Sequence, residues 1–294
     1  MSVSAPAGVI LDPRTPLYAS LEALAERGRV AFFAGLPGTG KSLLIHQLAH
    51  LAHARGRTIH LLQWDTARPI FERSAAGQRH PQVDGVTHGV IRIAVGRWAR
   101  AAVERWAREE RGGAPLLIGE APLVGHRLVE LARPADDGAE AVLVAPSTRF
   151  VVPVPSPAVR RHLEAERDRR ARGPLHEREG EDASPQVLRD LWRQILAVGA
   201  ELGVARGARH DETGYDPRIY RRVYLHVLAR RRAQILPLDE ILPTASFSVY
   251  AFAVPVTDIL PDEDEVRRWV GAVEDAYPDP ARLREEIDRW YVNR

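Results

Sequence analysis

Residues 30–49 read VAFFAGLPGTGKSLLIHQLA: an apolar run, a glycine-rich turn and a helical stretch in direct succession. The apolar run, 29–35, is short, continuous and ended by glycine, which is the pattern of a strand buried on both faces of a parallel sheet. From Lys41 to about Arg55 the pattern becomes helical, and Gly56 stops it. Between them, Gly35, Gly40, Lys41 and Ser42 have the spacing G-x-x-x-x-G-K-S. Lys41 is the only lysine among the 41 basic residues of the chain; the others are arginines. A chain that writes arginine elsewhere keeps lysine where a compact ammonium on a flexible stem is needed and a planar guanidinium would not fit.

The residue types of this turn suit polyphosphate. Glycines let the backbone take positive φ and bring its N–H groups close to phosphate oxygens. The helix that opens at Lys41 adds its dipole and its free N–H groups. Lys41 can lie along β- and γ-phosphates, and the Ser42 hydroxyl can reach Mg²⁺. The candidate nucleotide-binding set is Gly35, Leu36, Pro37, Gly38, Thr39, Gly40, Lys41, Ser42 and Leu43.

Outward from this core, strands and helices alternate. Patterning predicts a helix over 15–28, a strand over 58–65 ending at Asp65, and a short helix over 69–77. A long amphipathic helix follows over 90–110, then a strand over 114–120 ending at Glu120 and a helix over 124–132. Segments 140–145 and 149–156 read as extended, and 157–172 as an Arg- and Glu-rich helix. A polar break (172–185) precedes a helix over 186–202, and a second break covers 203–217. The rest reads as a basic helix (217–234), a strand (246–254) and two helices (262–277 and 280–291). This rhythm predicts an α/β fold: a mostly parallel sheet with helices on both faces and a helical C-terminal extension, in a single domain over 1–294.

Composition excludes several classes. There is no cysteine, so disulfides and thiolate metal sites are ruled out. The net charge of +2 gives little reason to expect a polyanionic partner. No apolar run approaches the roughly 20 residues that span a bilayer, and the first thirty residues lack a secretion pattern. A cytoplasmic protein without a membrane partner is expected. His46, His50 and His53 share one helix face, which reads as packing rather than as a metal site. In the 217–234 helix, Tyr220, Tyr224 and Val227 read as a core face rather than a nucleic-acid surface.

The motif and its context resemble the P-loop NTPase superfamily. The form GLPGTGKS is most like the small P-loop kinases of the shikimate, gluconate, nucleoside and nucleotide types. Firm similarity covers residues 29–65, and a looser one runs through about 200. The resemblance implies ATP as nucleotide, with GTP not excluded because no guanine-reading motif is visible, and Mg²⁺ held by Ser42 and Glu120. Glu120 stands where a Walker B acid would sit, although the usual Asp is absent; capping the following helix or pairing with Arg127 is its structural alternative.

Asp65 resembles the acid that faces the phosphate acceptor, and Arg68 could neutralise an anionic substrate. Segment 78–112 corresponds to the acceptor-binding region, where His88 and Arg92 are candidates. Segment 157–202 corresponds to a lid with Arg167, Arg169, Arg170 and Arg172, of which Arg169 and Arg172 join Lys41, Asp65 and Glu120 as the catalytic set. Residues 203–294 match no family pattern. The expected function is transfer of the γ-phosphate of ATP to a small hydroxyl- or phosphate-bearing acceptor. The alternatives are an ATP-hydrolysing switch and a nucleotide-dependent nucleic-acid module.

Overall fold

The computed structural model describes residues 5–110, 112–181, 185–205, 215–244 and 247–293. These form a six-stranded sheet in the order β5-β4-β1-β3-β2-β6, and every neighbouring pair is parallel. The strands are β1 (Val30–Ala34), β2 (Ile59–Gln63), β3 (Leu116–Ala121), β4 (Thr148–Pro155), β5 (Ala233–Leu238) and β6 (Thr257–Asp258). Parallel strands need crossovers, and helices stand in all but the last of them: α2 (Lys41–His53), α3 (Trp64–Arg73), α4 (Gly89–Glu109), α5 (Gly138–Leu143), α6 (Pro157–Arg172), α7 (Pro185–Glu201) and α8 (Pro217–Val227), while α1 (Pro16–Arg27) precedes β1 and α9 (Glu263–Ala276) and α10 (Pro280–Asp288) follow β6.

The alternation of β1 sorts the core into two layers. Val30, Phe32 and Ala34 face one side, in a cluster with Trp98 of α4 and Tyr220 and Tyr224 of α8. Ala31 and Phe33 face the other, with Leu21 of α1 and Leu44 and Leu48 of α2. Both faces of the central strand are therefore covered, which is why it reads as an unbroken apolar run. His46 and His50 of α2 are buried with their rings 4.5 Å apart, and His46 packs against Phe247 and Phe252. Among the described residues no group of three or more potential ligands is assembled for a metal.

Several segments depart from their sequence pattern. The second strand ends at Gln63, so Asp65 lies in the first turn of α3, and Pro69 sits inside that helix rather than at its start. The earlier start buries Trp64, Ala67 and Phe71 on one face. Residues 124–132 are not a helix. Positive φ at Leu123, Gly125, His126 and Leu128 breaks the spiral, and a single 3₁₀ turn remains at Val129–Leu131. Segment 140–145 contributes to helix α5 and not to a strand. Asp137 caps α5, and Arg100 and Arg231 hold Glu140.

The basic helix stops at Val227, and 233–234 open β5, which pairs with β4 from Phe150↔Ala233 to Pro155↔Leu238. Residues 247–254 form turns rather than a strand, residue 246 being outside the described ones. The C-terminal part is thus more than a helical extension, because it supplies both edge strands of the sheet.

Candidate functional site

In a parallel sheet the strands deliver their C-terminal ends to one edge, where ligands bind. β1 runs into the glycine-rich loop, in which Gly38 and Gly40 have φ of 71° and 86°. Gly40 is the N-cap of α2 and no side chain caps that helix. The first-turn N–H groups of α2 therefore have no side-chain cap. Leu36 O accepts hydrogen bonds from Thr39 Oγ1 and from Lys41 Nζ, each at 2.7 Å.

β3 lies directly beside β1, with Glu120 in register with Phe33. That adjacency brings Glu120 Oε1 to 3.2 Å from Lys41 Nζ. Both residues are buried, at 4% and 7% exposure. Burial pushes the Lys41 ammonium below its usual pKa, and the attraction of Glu120 opposes this. Burial pushes the Glu120 carboxyl upward, Lys41 pulls it back, and nearby Asp65 adds to the rise. Glu120 therefore pairs with Lys41 and not with Arg127.

The pair opens into a cavity of about 430 Å³ lined by Pro37, Gly38, Gly40, Lys41, Ser42 and Leu43 of the loop and helix start. Strand order places the remaining lining on two sides. Toward β4 and β5 stand Leu163, Arg167 and Arg170 of α6, with Phe247 and Tyr250 from the chain beyond β5. Toward β3 and β2 stand Trp64, Asp65 and Arg68 of α3, with Val124 and Arg127 from the chain beyond β3.

Asp65, Arg68, Glu120, Lys41 and Ser42 thus share one cavity. Gly35, Leu36 and Thr39 lie beneath the lining. His88 and Arg92 do not reach it: His88 caps α4 and stacks on His80, and Arg92 donates to Thr87 O and Gly125 O. Nor do Arg169 and Arg172, which are exposed, the first paired with Glu166 and the second with Asp168 O. Arg167 and Arg170 face the cavity in their place. Arg170 also donates to Thr244 O (2.7 Å) and Phe247 O (3.2 Å), and pairs with Glu179 at 3.2 Å, which ties the C-terminal segment to α6.

Helical spacing carries the signal for this choice. Positions 163, 167 and 170 share the face of Leu163, whereas 169 and 172 point away. Phe247 and Tyr250 carry no such local signal, since they reach the site by the return of a distant segment.

No family model matches the chain, and no characterised protein or solved structure is significantly similar to it. Among the described residues, no helix is long and apolar enough to cross a membrane.

Proposed function

We propose that the protein is a P-loop phosphotransferase that moves the γ-phosphoryl group of ATP to a small acceptor. The observation that carries this reading is the position of the single lysine. Its ammonium sits in a glycine-rich loop, at an uncapped helix start, 3.2 Å from a carboxylate on the adjoining strand, at the wall of a cavity. Donors in that arrangement suit a polyphosphate.

The two-sided lining supports transfer between two ligands. On the β4–β5 side, Leu43, Leu163, Phe247 and Tyr250 offer an apolar and aromatic surface suited to a nucleobase. Arg167 stands on the same side as a cation for the transferring group. On the β2–β3 side, Asp65 is exposed to the cavity and is the base that would take the acceptor's proton as its oxygen bonds to phosphorus and the bond to the β-phosphate oxygen breaks. Glu120, held against Lys41, positions the ammonium rather than the acceptor.

The residues fit Mg²⁺. Mg²⁺ is commonly held by one or two protein oxygens together with phosphate and water, and Ser42 and Glu120 offer such oxygens in one cavity. When bound, the ion neutralises charge on the β- and γ-phosphates.

The test is a phosphoryl-transfer screen with labelled ATP against metabolite and nucleotide panels, with Lys41→Ala as the blank. Label should pass to an acceptor and depend on Lys41. Release of label to water alone, whatever acceptor is added, would replace the kinase reading with that of an ATPase.

A further inference from the structure

The β2–β3 wall of the cavity carries Arg68 and Arg127 beside the single carboxylate of Asp65, which is near enough to act on Arg127 without forming an ion pair with it. Arg68 is paired with Glu72 at 2.7 Å. Arg127 is not so paired: its Nη1 donates to the carbonyl of Val124 at 2.9 Å, and among the described residues it has no carboxylate at ion-pair distance. Arg92 stands behind it, donating to Thr87 O at 2.7 Å and Gly125 O at 2.9 Å, with Asp288 near enough to act on its charge. The two guanidinium groups converge at Gly125, where a Cβ would lie 2.8 Å from Arg127 Nη1 and 3.4 Å from Arg92 Nη1. Burial, with Arg92 beside it, holds the Arg127 pKa down to about 10, so the group is still charged at neutral pH.

The segment that presents Arg127 is built for it. Leu123, His126 and Leu128 hold φ of 63°, 64° and 61°, a conformation that side chains disfavour. Such strain persists where the surroundings over-determine it, and it collects at functional sites. Here Tyr224 donates to Pro122 O at 2.8 Å, and His126 Nε2 meets Glu130 at 3.0 Å.

On the same wall, two of the polar side chains have a donor already spent on Glu72. Thr87 Oγ1 and Gln82 Nε2 both donate to Glu72 Oε1, at 2.8 and 2.9 Å. Trp64, Val124 and Leu191 are apolar lining.

Taking the cavity as the kinase site proposed above, we infer that its acceptor is a small anion with an apolar body and few hydroxyls. Its carboxylate or phosphate rests on Arg127, its body lies against Val124 and Leu191, and its reacting hydroxyl faces Asp65. A half-buried guanidinium beside a second one gains from an anion, because charge-assisted hydrogen bonds strengthen as water is excluded.

The experiment is calorimetry on the full chain with phenyl phosphate, phenylacetate, benzyl alcohol and gluconate, with ATP titrated separately. At least one aryl anion should bind about tenfold more tightly than benzyl alcohol and than gluconate, and Arg127→Gln should lose about that factor. Whichever aryl anion binds better assigns carboxylate or phosphate. Val187→Asp, a change at an exposed position in the cavity lining, should weaken the anions several-fold by repulsion with the melting temperature unchanged. Equal binding of benzyl alcohol and both aryl anions, or gluconate as tight as either, would overturn the inference even if Arg127→Gln fails to fold. ATP binding lost beside an intact anion preference would remove the kinase reading and leave the anionic subsite standing.

Discussion

Replacing Lys41 with methionine leaves the Glu120 carboxylate buried without its cation. Coulomb's law at the observed 3.2 Å, with an effective dielectric of about 20, gives an attraction of about 5 kcal/mol. Desolvation of the ammonium offsets part of it, so the expected loss of folding stability is about 3–5 kcal/mol. The double variant Lys41→Met with Glu120→Gln removes both charges and should recover about 2–3 kcal/mol of that loss. The penalty should also depend on pH. Burial and Asp65 raise the folded-state pKa of Glu120, and removing Lys41 raises it further. The cost is then fully present above that raised value and shrinks as pH falls through it, because the unpaired carboxyl takes up a proton. Urea unfolding of the wild type, both single variants and the double, at about pH 8 and about pH 5, reads these quantities directly. If the Lys41 variant and the double lost equal stability at both pH values, the pair would not be the buried interaction described above.

Lys41→Arg should weaken ATP binding by at least about tenfold in calorimetry, because the enclosed position between Leu36 O and Glu120 suits an ammonium and not a planar fork; unchanged affinity would break the link between the solitary lysine and phosphate. Arg167→Ala should weaken ATP binding by about tenfold while Arg169→Ala and Arg172→Ala leave it alone, and equal effects at all three positions would refute the assignment of faces on α6. Gly35→Ala places a Cβ 2.2 Å from the Tyr220 hydroxyl and should cost about 1–3 kcal/mol in thermal unfolding, part of which Tyr220→Phe in the same chain restores. Burial lowers the His46 pKa to about 4, so the unfolded chain binds the proton first and stability should fall as pH drops from about 6.5 toward 4; His46→Leu should flatten that slope.

Much of the candidate site is legible residue by residue. The glycines, Lys41 and Ser42 act through contiguous backbone, so motif and flanking pattern were enough to foresee a loop between β1 and α2. Glu120 reaches this edge as the end of its strand, whereas Asp65 and Arg68 line the same cavity from the first turns of α3 and not from the strand end that the pattern suggests. Arg92 and His88 do not line the cavity, and residue type alone does not distinguish a guanidinium facing a cavity from one bonded to carbonyls. The segment 140–145 shows the limit of periodicity. A short apolar run suits a strand or a helix equally, and here a cap at Asp137 and two arginines from distant elements select the helix.

The sequence by itself therefore determined what neighbours in the chain can enforce: the alternation of strands and helices, the glycine-rich turn, and the choice of lysine at its end. Tertiary structure alone decided which strand lies beside β1, and so that Glu120 meets Lys41. It also decided that the chain beyond β5 returns with Phe247 and Tyr250, and that Arg127 makes no ion pair among the described residues. Those outcomes depend on contacts between residues far apart in the chain, and a local pattern carries no information about which distant group will satisfy a buried charge.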